Sequence, residues 1–160
     1  MALIRRRVVI GGVGHLYQGD LDLGRVAVER LGREDLGGDV AVEEFSYGAV
    51  AVAQRLQELQ PELLILVGAK ERGRAPGTVE RRDVHTLTDE PAAIQGAVAD
   101  AISGYIDLDL VLDVAHGLGG LPARVVTVEV EPASVAPSEQ LTAIGEVALA
   151  RAIALVRAEL

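Results

Sequence analysis

Residue types that bind metal ions or transfer protons gather in one segment near the start of the chain. A short apolar run, residues 8–10, leads into a glycine-rich loop that contains His15 and ends at Asp20 and Asp22, on either side of Leu21. A loop of this kind at the end of a parallel strand is where α/β proteins place their chemistry. His15, Asp20 and Asp22 are therefore candidate metal ligands, whereas a histidine without a paired ligand is also typical of an ordinary surface loop.

Two other motifs indicate structure rather than chemistry. Residues 12–14 (GVG) match only part of the dinucleotide-binding fingerprint, because Tyr17 stands where its third glycine is needed. Asp107, Asp109 and Asp113 resemble a metal cluster only in composition. At helical spacing they indicate one solvated face of a helix.

The composition bounds the size, class and surroundings of the protein. A chain of 160 residues, 49% of them apolar, suits one domain with a substantial core, which we expect to span residues 1–160. The formal net charge of −9 argues against a nucleic-acid or membrane partner. The chain has no cysteine, and Gly11 and Gly12 break the first apolar run before it reaches the length of a signal peptide's apolar segment. We therefore expect a soluble, cytoplasmic protein.

Apolar runs alternate with amphipathic segments along the whole chain. The apolar run 63–67 (LLILV) predicts a central strand, because a strand covered on both faces has no polar side. The charged segment 78–82 predicts an edge strand, and Thr142 is placed to cap the last helix. The predicted strands are 8–11, 39–45, 63–67, 78–82 and 125–130, and the predicted helices are 22–33, 48–59, 91–102, 108–115 and the segment after Thr142. This alternation predicts a three-layer α/β/α sandwich around a mostly parallel sheet of about five strands.

The order of these segments resembles the hydrogenase maturation endopeptidase family over almost the whole chain. Members of that family remove the C-terminal tail of the nickel-iron hydrogenase large subunit after nickel insertion. The most specific part of the resemblance lies in the C-terminal third of the chain. The matching segments are, in order, 9–14 with Asp20 and Gly24, the strand 64–67 followed by 75–78 (APGT), then 118–122 (LGGLP), 125–137 and 141–142.

The resemblance also implies a metal site whose ligand positions are replaced in this chain. In the family, nickel carried by the substrate is held by an acid after the glycine loop, an aspartate after the central strand and a histidine that opens a later helix. Matched onto this chain, these positions are Leu21, Gly68 and Gly104, or Tyr105 if the register shifts by one residue. Leucine and glycine side chains cannot coordinate nickel. The resemblance therefore implies a retained fold without its metal ligands, and no cofactor of the protein's own.

Two main hypotheses about function follow. We favour a non-catalytic relative that binds a hydrogenase large subunit, or a related precursor, as a maturation or assembly factor, because losing three ligands demands a new site. The alternative is an active endopeptidase that uses His15, Asp20 and Asp22 as substitute ligands. A small-molecule binder on the same fold stays open, since fold does not fix function. The candidate partner-binding cleft consists of Gly12, Gly14, Leu21, Phe45, Tyr47 and Gly77.

Overall fold

A five-stranded sheet forms the centre of the molecule, and the computed structural model describes residues 7–87 and 89–160. Its strands, in spatial order, are β2 (Val40–Glu44), β1 (Val8–Val13), β3 (Leu63–Ala69), β5 (Arg124–Val130) and β4 (Val79–Asp83). The first four are parallel, whereas β4 runs antiparallel to β5 at the edge of the sheet. The prediction of a mostly parallel sheet of five strands is confirmed.

The middle strand is β3, in which every residue is apolar or glycine. All of Leu63–Ala69 is buried, and the strand pairs with β1 on one side and β5 on the other. A fully apolar strand requires cover on both faces and neighbours on both edges. The predicted central position is confirmed, and the strand continues past the predicted end through Gly68 and Ala69.

Helices cover both faces of the sheet. On one face lie α1 (Leu23–Leu31) and α5 (Ala143–Ala158). On the other lie α2 (Ala49–Leu59), α3 (Pro91–Ile102) and α4 (Leu108–Gly117). Each helical layer forms its own apolar cluster with the sheet, so the predicted three-layer sandwich is confirmed. In the part of the chain that the structure describes, no helix is long and apolar enough to cross a membrane.

The helix starts follow their predicted signals in part. Thr142 caps α5, since its hydroxyl oxygen accepts a 2.9 Å hydrogen bond from the Gly145 amide. The segment predicted as one helix from residue 22 begins instead with a 3-10 turn, Gly19–Asp22, followed by α1. The difference matters for the site, because this turn carries both Asp20 and Asp22, two of the candidate ligands.

The strand order creates a crevice between β1 and β3. The chain leaves β1 toward β2 on one side and returns to β3 on the other, so the direction of winding reverses at β1. In parallel α/β sheets, ligands bind outside the carboxyl ends of the strands at such a reversal. The loops that follow Val13 and Ala69 therefore lie where a binding site is expected.

Candidate functional site

A cleft opens at the carboxyl ends of β1 and β3. It consists of two hollows, of about 280 and 380 Å³, that share His15 and Gln18. The other residues of the first hollow are Leu21, Ala69, Lys70, Glu71, Tyr105 and Asp107. The other residues of the second are Gly14, Leu16, Arg25, Glu44, Ser46, Tyr47, Gly104 and Ile106. The two hollows together are called the β1/β3 cleft below.

A lysine–aspartate ion pair lines the first hollow. The Lys70 ammonium, directly after β3, donates to one oxygen of Asp107, which also accepts a 2.7 Å hydrogen bond from the Tyr105 hydroxyl. The other oxygen of Asp107 accepts a 2.8 Å bond from the Leu110 amide and so caps α4. Burial disfavours both charges, but the hydrogen bonds outweigh it, so the pKa of Lys70 is raised and the pKa of Asp107 is lowered. Both groups are therefore ionised at neutral pH.

Tyr105 connects this pair to the glycine loop. Its hydrogen bond to Asp107, together with burial, raises the pKa of the phenol, so the hydroxyl remains a donor at neutral pH. Its ring centre lies 6.4 Å from that of His15 in a tilted arrangement. The loop after β1 and the segment before α4 thus meet across the cleft through two rings.

Two arginines fix the loop that follows Lys70. The Arg72 guanidinium donates to Glu129 and, at 2.7 Å, to Asp109. The Arg74 guanidinium lies 2.8 Å from the Glu129 carboxylate and 2.9 Å from the Glu131 carboxylate. Burial disfavours the charge of Glu131, but Arg74 and two backbone amides outweigh it and lower its pKa. Charge-assisted hydrogen bonds of this kind are strong, so the loop is held in one position.

A carboxylate lies one strand away from Gly68. Glu129 of β5 pairs in register with Gly68 of β3, and register partners project from the same face of a sheet. Glu129 is only 2% exposed, and both Arg72 and Arg74 pair with it. The sheet therefore presents an acid next to the position matched to the family's aspartate. The guanidinium groups of Arg72 and Arg74 neutralise its charge.

Asp20 holds together segments that are distant in sequence. It is fully buried, and one of its oxygens accepts a 2.8 Å hydrogen bond from the Thr142 amide. The other oxygen accepts bonds from the Ala133 amide at 2.9 Å and the Thr142 hydroxyl at 2.8 Å. The carboxylate thus joins the 3-10 turn to the loop after β5 and to the start of α5, and it does not line the cleft.

The three candidate substitute ligands do not come together. Asp22 is 4% exposed, and its carboxylate accepts hydrogen bonds of 2.6 to 3.0 Å from the Arg25 guanidinium. Of the three, His15 lines the cleft, Asp20 binds donors inside the fold, and Asp22 pairs with Arg25, a residue of the second hollow. Within residues 7–87 and 89–160, no three His, Asp or Glu side chains are grouped so that they could hold a metal ion.

The positions matched to the family's metal ligands do not form a ligand set. They are Leu21, Gly68 and Gly104, and Gly68 is buried in β3. Leu21 lines the first hollow and Gly104 the second. A Cβ atom at Gly68 would lie 2.8 Å from the Val13 carbonyl oxygen, and Gly104 has a φ of +89°. A carboxylate at Gly68 or an imidazole at Gly104 would therefore strain the present backbone. Tyr105, the alternative match, binds Asp107 instead.

The predicted partner-binding residues divide between the cleft and the core. Gly14, Leu21 and Tyr47 line the β1/β3 cleft. Phe45 does not, because it is fully buried and its ring covers Gly11 of β1. A glycine on one strand leaves a space that the aromatic ring fills, so this part of the predicted cleft is corrected to core.

The two remaining glycines of that prediction also lie elsewhere. A Cβ atom at Gly12 would overlap the backbone of Gly24 in α1, and a Cβ atom at Gly77 would approach Ile144 of α5 to 2.7 Å. Both glycines therefore permit close packing against the helices of one layer. Neither lines the β1/β3 cleft.

Lys70 and Asp107 form the ion pair of the cleft, which the sequence pattern does not indicate. Asp107, assigned above to a solvated helix face, is 7% exposed, and that assignment is wrong for this residue. Two signals point to the pair: a lone cation directly after a central strand, and an acid at a helix N-cap position. Their pairing, however, joins residues 37 positions apart.

The fold is that of a known class of enzymes. No family model matches the sequence, and no curated protein matches it. The structure is similar to hydrogenase maturating endopeptidase HybD from Escherichia coli, with a TM-score of 0.68 and 24% identity over 96% of this chain and 91% of that one. It is also similar to a hydrogenase 2 maturation peptidase from a Thaumarchaeota archaeon, with a TM-score of 0.65 and 24% identity over 96% of this chain and 97% of that one.

A third solved structure, from another archaeon, has the same fold. A hydrogenase maturation protease HycI from Thermococcus kodakarensis has a TM-score of 0.68 and 20% identity over 96% of this chain and 92% of that one. Nearly the whole length of each protein is covered. This chain therefore has the fold of the hydrogenase maturation endopeptidases, as its sequence resemblance implies.

Proposed function

We propose that this protein is a non-catalytic relative of the hydrogenase maturation endopeptidases, which binds a hydrogenase large-subunit precursor, or a related precursor, as a maturation or assembly factor. The proposal places it in the cytoplasm with a protein partner, and with neither a nucleic acid nor a membrane as its target. The similar proteins are peptidases by name, whereas this proposal requires that catalysis has been lost.

The state of the buried carboxylates supports the loss of catalysis most strongly. Among the described residues, the buried carboxylates are Asp20, Asp22, Asp107, Glu129 and Glu131. Each of them accepts hydrogen bonds from an arginine, a lysine or the backbone. A carboxylate that already serves internal donors is a poor metal ligand, because binding a metal ion would first break those bonds.

The β1/β3 cleft offers a surface suited to a protein partner. Tyr47, Tyr105 and Leu16 line it with side chains more than half exposed. Tyrosine is enriched at protein interfaces, since it combines apolar area with a polar end. Leu21 contributes an apolar group where the matched family position carries an acid.

The test uses the full chain and a purified large-subunit precursor of a nickel-iron hydrogenase, loaded with nickel and carrying its C-terminal tail. Binding is measured by surface plasmon resonance, and processing of the tail by mass spectrometry. We expect binding without cleavage. Leu21→Asp should weaken binding at least tenfold, or about 1.4 kcal/mol, because it places a charge in the contact.

The matched control is Leu118→Asp. Leu118 is an exposed leucine that directly follows α4 and does not line the β1/β3 cleft, so its substitution should leave binding unchanged. Cleavage of the tail by the wild-type chain would refute the non-catalytic role. Absence of binding to the loaded precursor would refute the partnership.

A further inference from the structure

A second recess lies outside the β1/β3 cleft. It is a groove of about 500 Å³ between α4 and the chain that runs from the end of β4 to residue 87. One wall carries Arg82 and the other Asp113, with the apolar side chains of Val84, Leu87 and Leu112 between them. It is called the β4/α4 groove below, and the proposed function does not use it.

The groove follows from how the helices cover the sheet. α5 packs against β4 on one face, while α4 packs over β3 on the other. Arg81 points toward α5, where it pairs with Glu159 at 2.6 Å. Because side chains alternate along a strand, Arg82 projects from the opposite face. That face of β4 extends past α4, and the uncovered space is the groove.

Among the described residues, two charged side chains of the groove, Arg82 and Asp113, have no ion-pair partner, whereas Asp83 and Asp109, which also line it, pair with Arg81 and Arg72. The Arg82 side chain forms no ion pair or hydrogen bond, a property that it shares with that of Arg151 alone among the arginines in residues 7–87 and 89–160. The Asp113 carboxylate also makes neither, and the residue is half-buried. Burial and the nearby charges of Asp109 and Asp107 raise the pKa of Asp113. Both walls therefore carry charge that a ligand can compensate.

A polar atom on the sheet beside the groove also lacks a partner. The Thr127 hydroxyl is buried without a hydrogen bond, and Thr127 pairs in register with Arg82. Register partners share a face of the sheet, so the hydroxyl lies on the side of the groove. Buried hydroxyls are normally satisfied, and one that is not indicates a site for a water molecule or a ligand group.

We propose that the β4/α4 groove binds a small zwitterion in which an ammonium or guanidinium group is joined to a carboxylate by an aliphatic chain. The carboxylate pairs with Arg82 and the cation with Asp113. The aliphatic chain lies on Val84, Leu87 and Leu112. The volume is within the range of small-molecule sites, which combine apolar walls with a few polar groups that fix orientation.

The test titrates the full chain with ω-amino acids of three lengths, 4-aminobutyrate, 6-aminohexanoate and 8-aminooctanoate, and follows backbone amide shifts by NMR. Hexylamine and hexanoate supply one charge each on a comparable chain. We expect at least one zwitterion to bind about tenfold more tightly than either single-charge compound. The largest shifts should fall in residues 82–87 and 109–113.

Four variants assign the charges. Arg82→Gln and Asp113→Asn should each reduce zwitterion affinity to the level of a single-charge compound. Arg151→Gln, the other unpaired arginine, and Asp100→Asn on α3 should leave it unchanged. The proposal is wrong if no zwitterion binds, if hexylamine or hexanoate binds equally well, or if Arg82→Gln has no effect. None of these results depends on hydrogenase binding.

Discussion

Replacing Asp20 by alanine is expected to destabilise the whole fold. Asp20 is fully buried, and its carboxylate accepts hydrogen bonds from the Ala133 amide, the Thr142 amide and the Thr142 hydroxyl. Alanine leaves these donors without an acceptor in the interior. The two amides cannot rotate to find another partner, whereas the hydroxyl retains its bond from Gly145. The loop after β5 and the start of α5 would therefore lose their attachment to the 3-10 turn.

The size of the loss in stability follows from the two backbone amides that lose their acceptor. Each buried donor left unsatisfied costs about 1 to 3 kcal/mol, and hydrogen bonds to charged groups lie toward the upper end. We therefore expect Asp20→Ala to reduce the free energy of unfolding by about 3 to 5 kcal/mol. Asp20→Asn keeps one acceptor oxygen but turns an NH₂ group toward an amide donor, so about 1 to 3 kcal/mol is expected.

Urea unfolding followed by circular dichroism at 222 nm measures these changes through the midpoint, provided that the slope stays constant. Asp35→Ala is the matched control. Asp35 is exposed and accepts one bond from the Gly37 amide, so its removal should change the free energy of unfolding by less than about 0.5 kcal/mol. Unchanged stability in Asp20→Ala would refute the structural role. So would nickel-dependent stability of the wild type that Asp20→Ala abolishes, because Asp20 would then be a metal ligand.

Three further substitutions test the cleft, the groove and the core. Lys70→Met should cost about 1 to 3 kcal/mol by leaving Asp107 uncompensated. The defect should be full between about pH 4 and 10 and should disappear as the pH falls through the lowered pKa of Asp107 or rises through the raised pKa of Lys70. Urea unfolding at pH values inside and outside that range measures it. Asp113→Asn should raise the thermal midpoint at pH 7, because the raised pKa of Asp113 shows that its charge is unfavourable in the folded protein. The gain should vanish as the pH falls below the ordinary pKa of aspartate, since the side chains of the wild type and the variant are then both neutral. Phe45→Ala should cost about 3 to 5 kcal/mol in urea unfolding by opening a cavity over Gly11, and a loss below about 1 kcal/mol would contradict the buried position.

The sequence predicts the layers of this fold well because they depend on local patterns. The apolar run in β3 requires burial on both faces, and the charged β4 lies at the sheet edge as its pattern indicates. Thr142 caps α5 through its own backbone neighbours. Each of these features is determined within a few residues, so a single sequence suffices to find it.

The candidate site depends on contacts that no local pattern encodes. Asp20 lies in a polar, glycine-rich segment, which suggests exposure, yet its partners Ala133 and Thr142 are more than one hundred residues away. Lys70 likewise meets Asp107 only after α4 has packed beside β3. Side-chain charge alone cannot tell an acid that binds a metal ion from one that holds two loops together.

The internal cation in the cleft has a physical consequence for metal binding. Lys70 lies against Asp107, and the two side chains are 25% and 10% exposed. A divalent ion that coordinates Asp107 would have to compete with the Lys70 ammonium for the same carboxylate oxygen. Coordination of Asp107 therefore requires displacement of Lys70, which leaves an ammonium group without its counter-charge. We expect that added ligands at Leu21, Gly68 and Gly104 would not suffice to create a metal site while Lys70 remains, because the charge that a metal ion would supply is already provided by the chain itself.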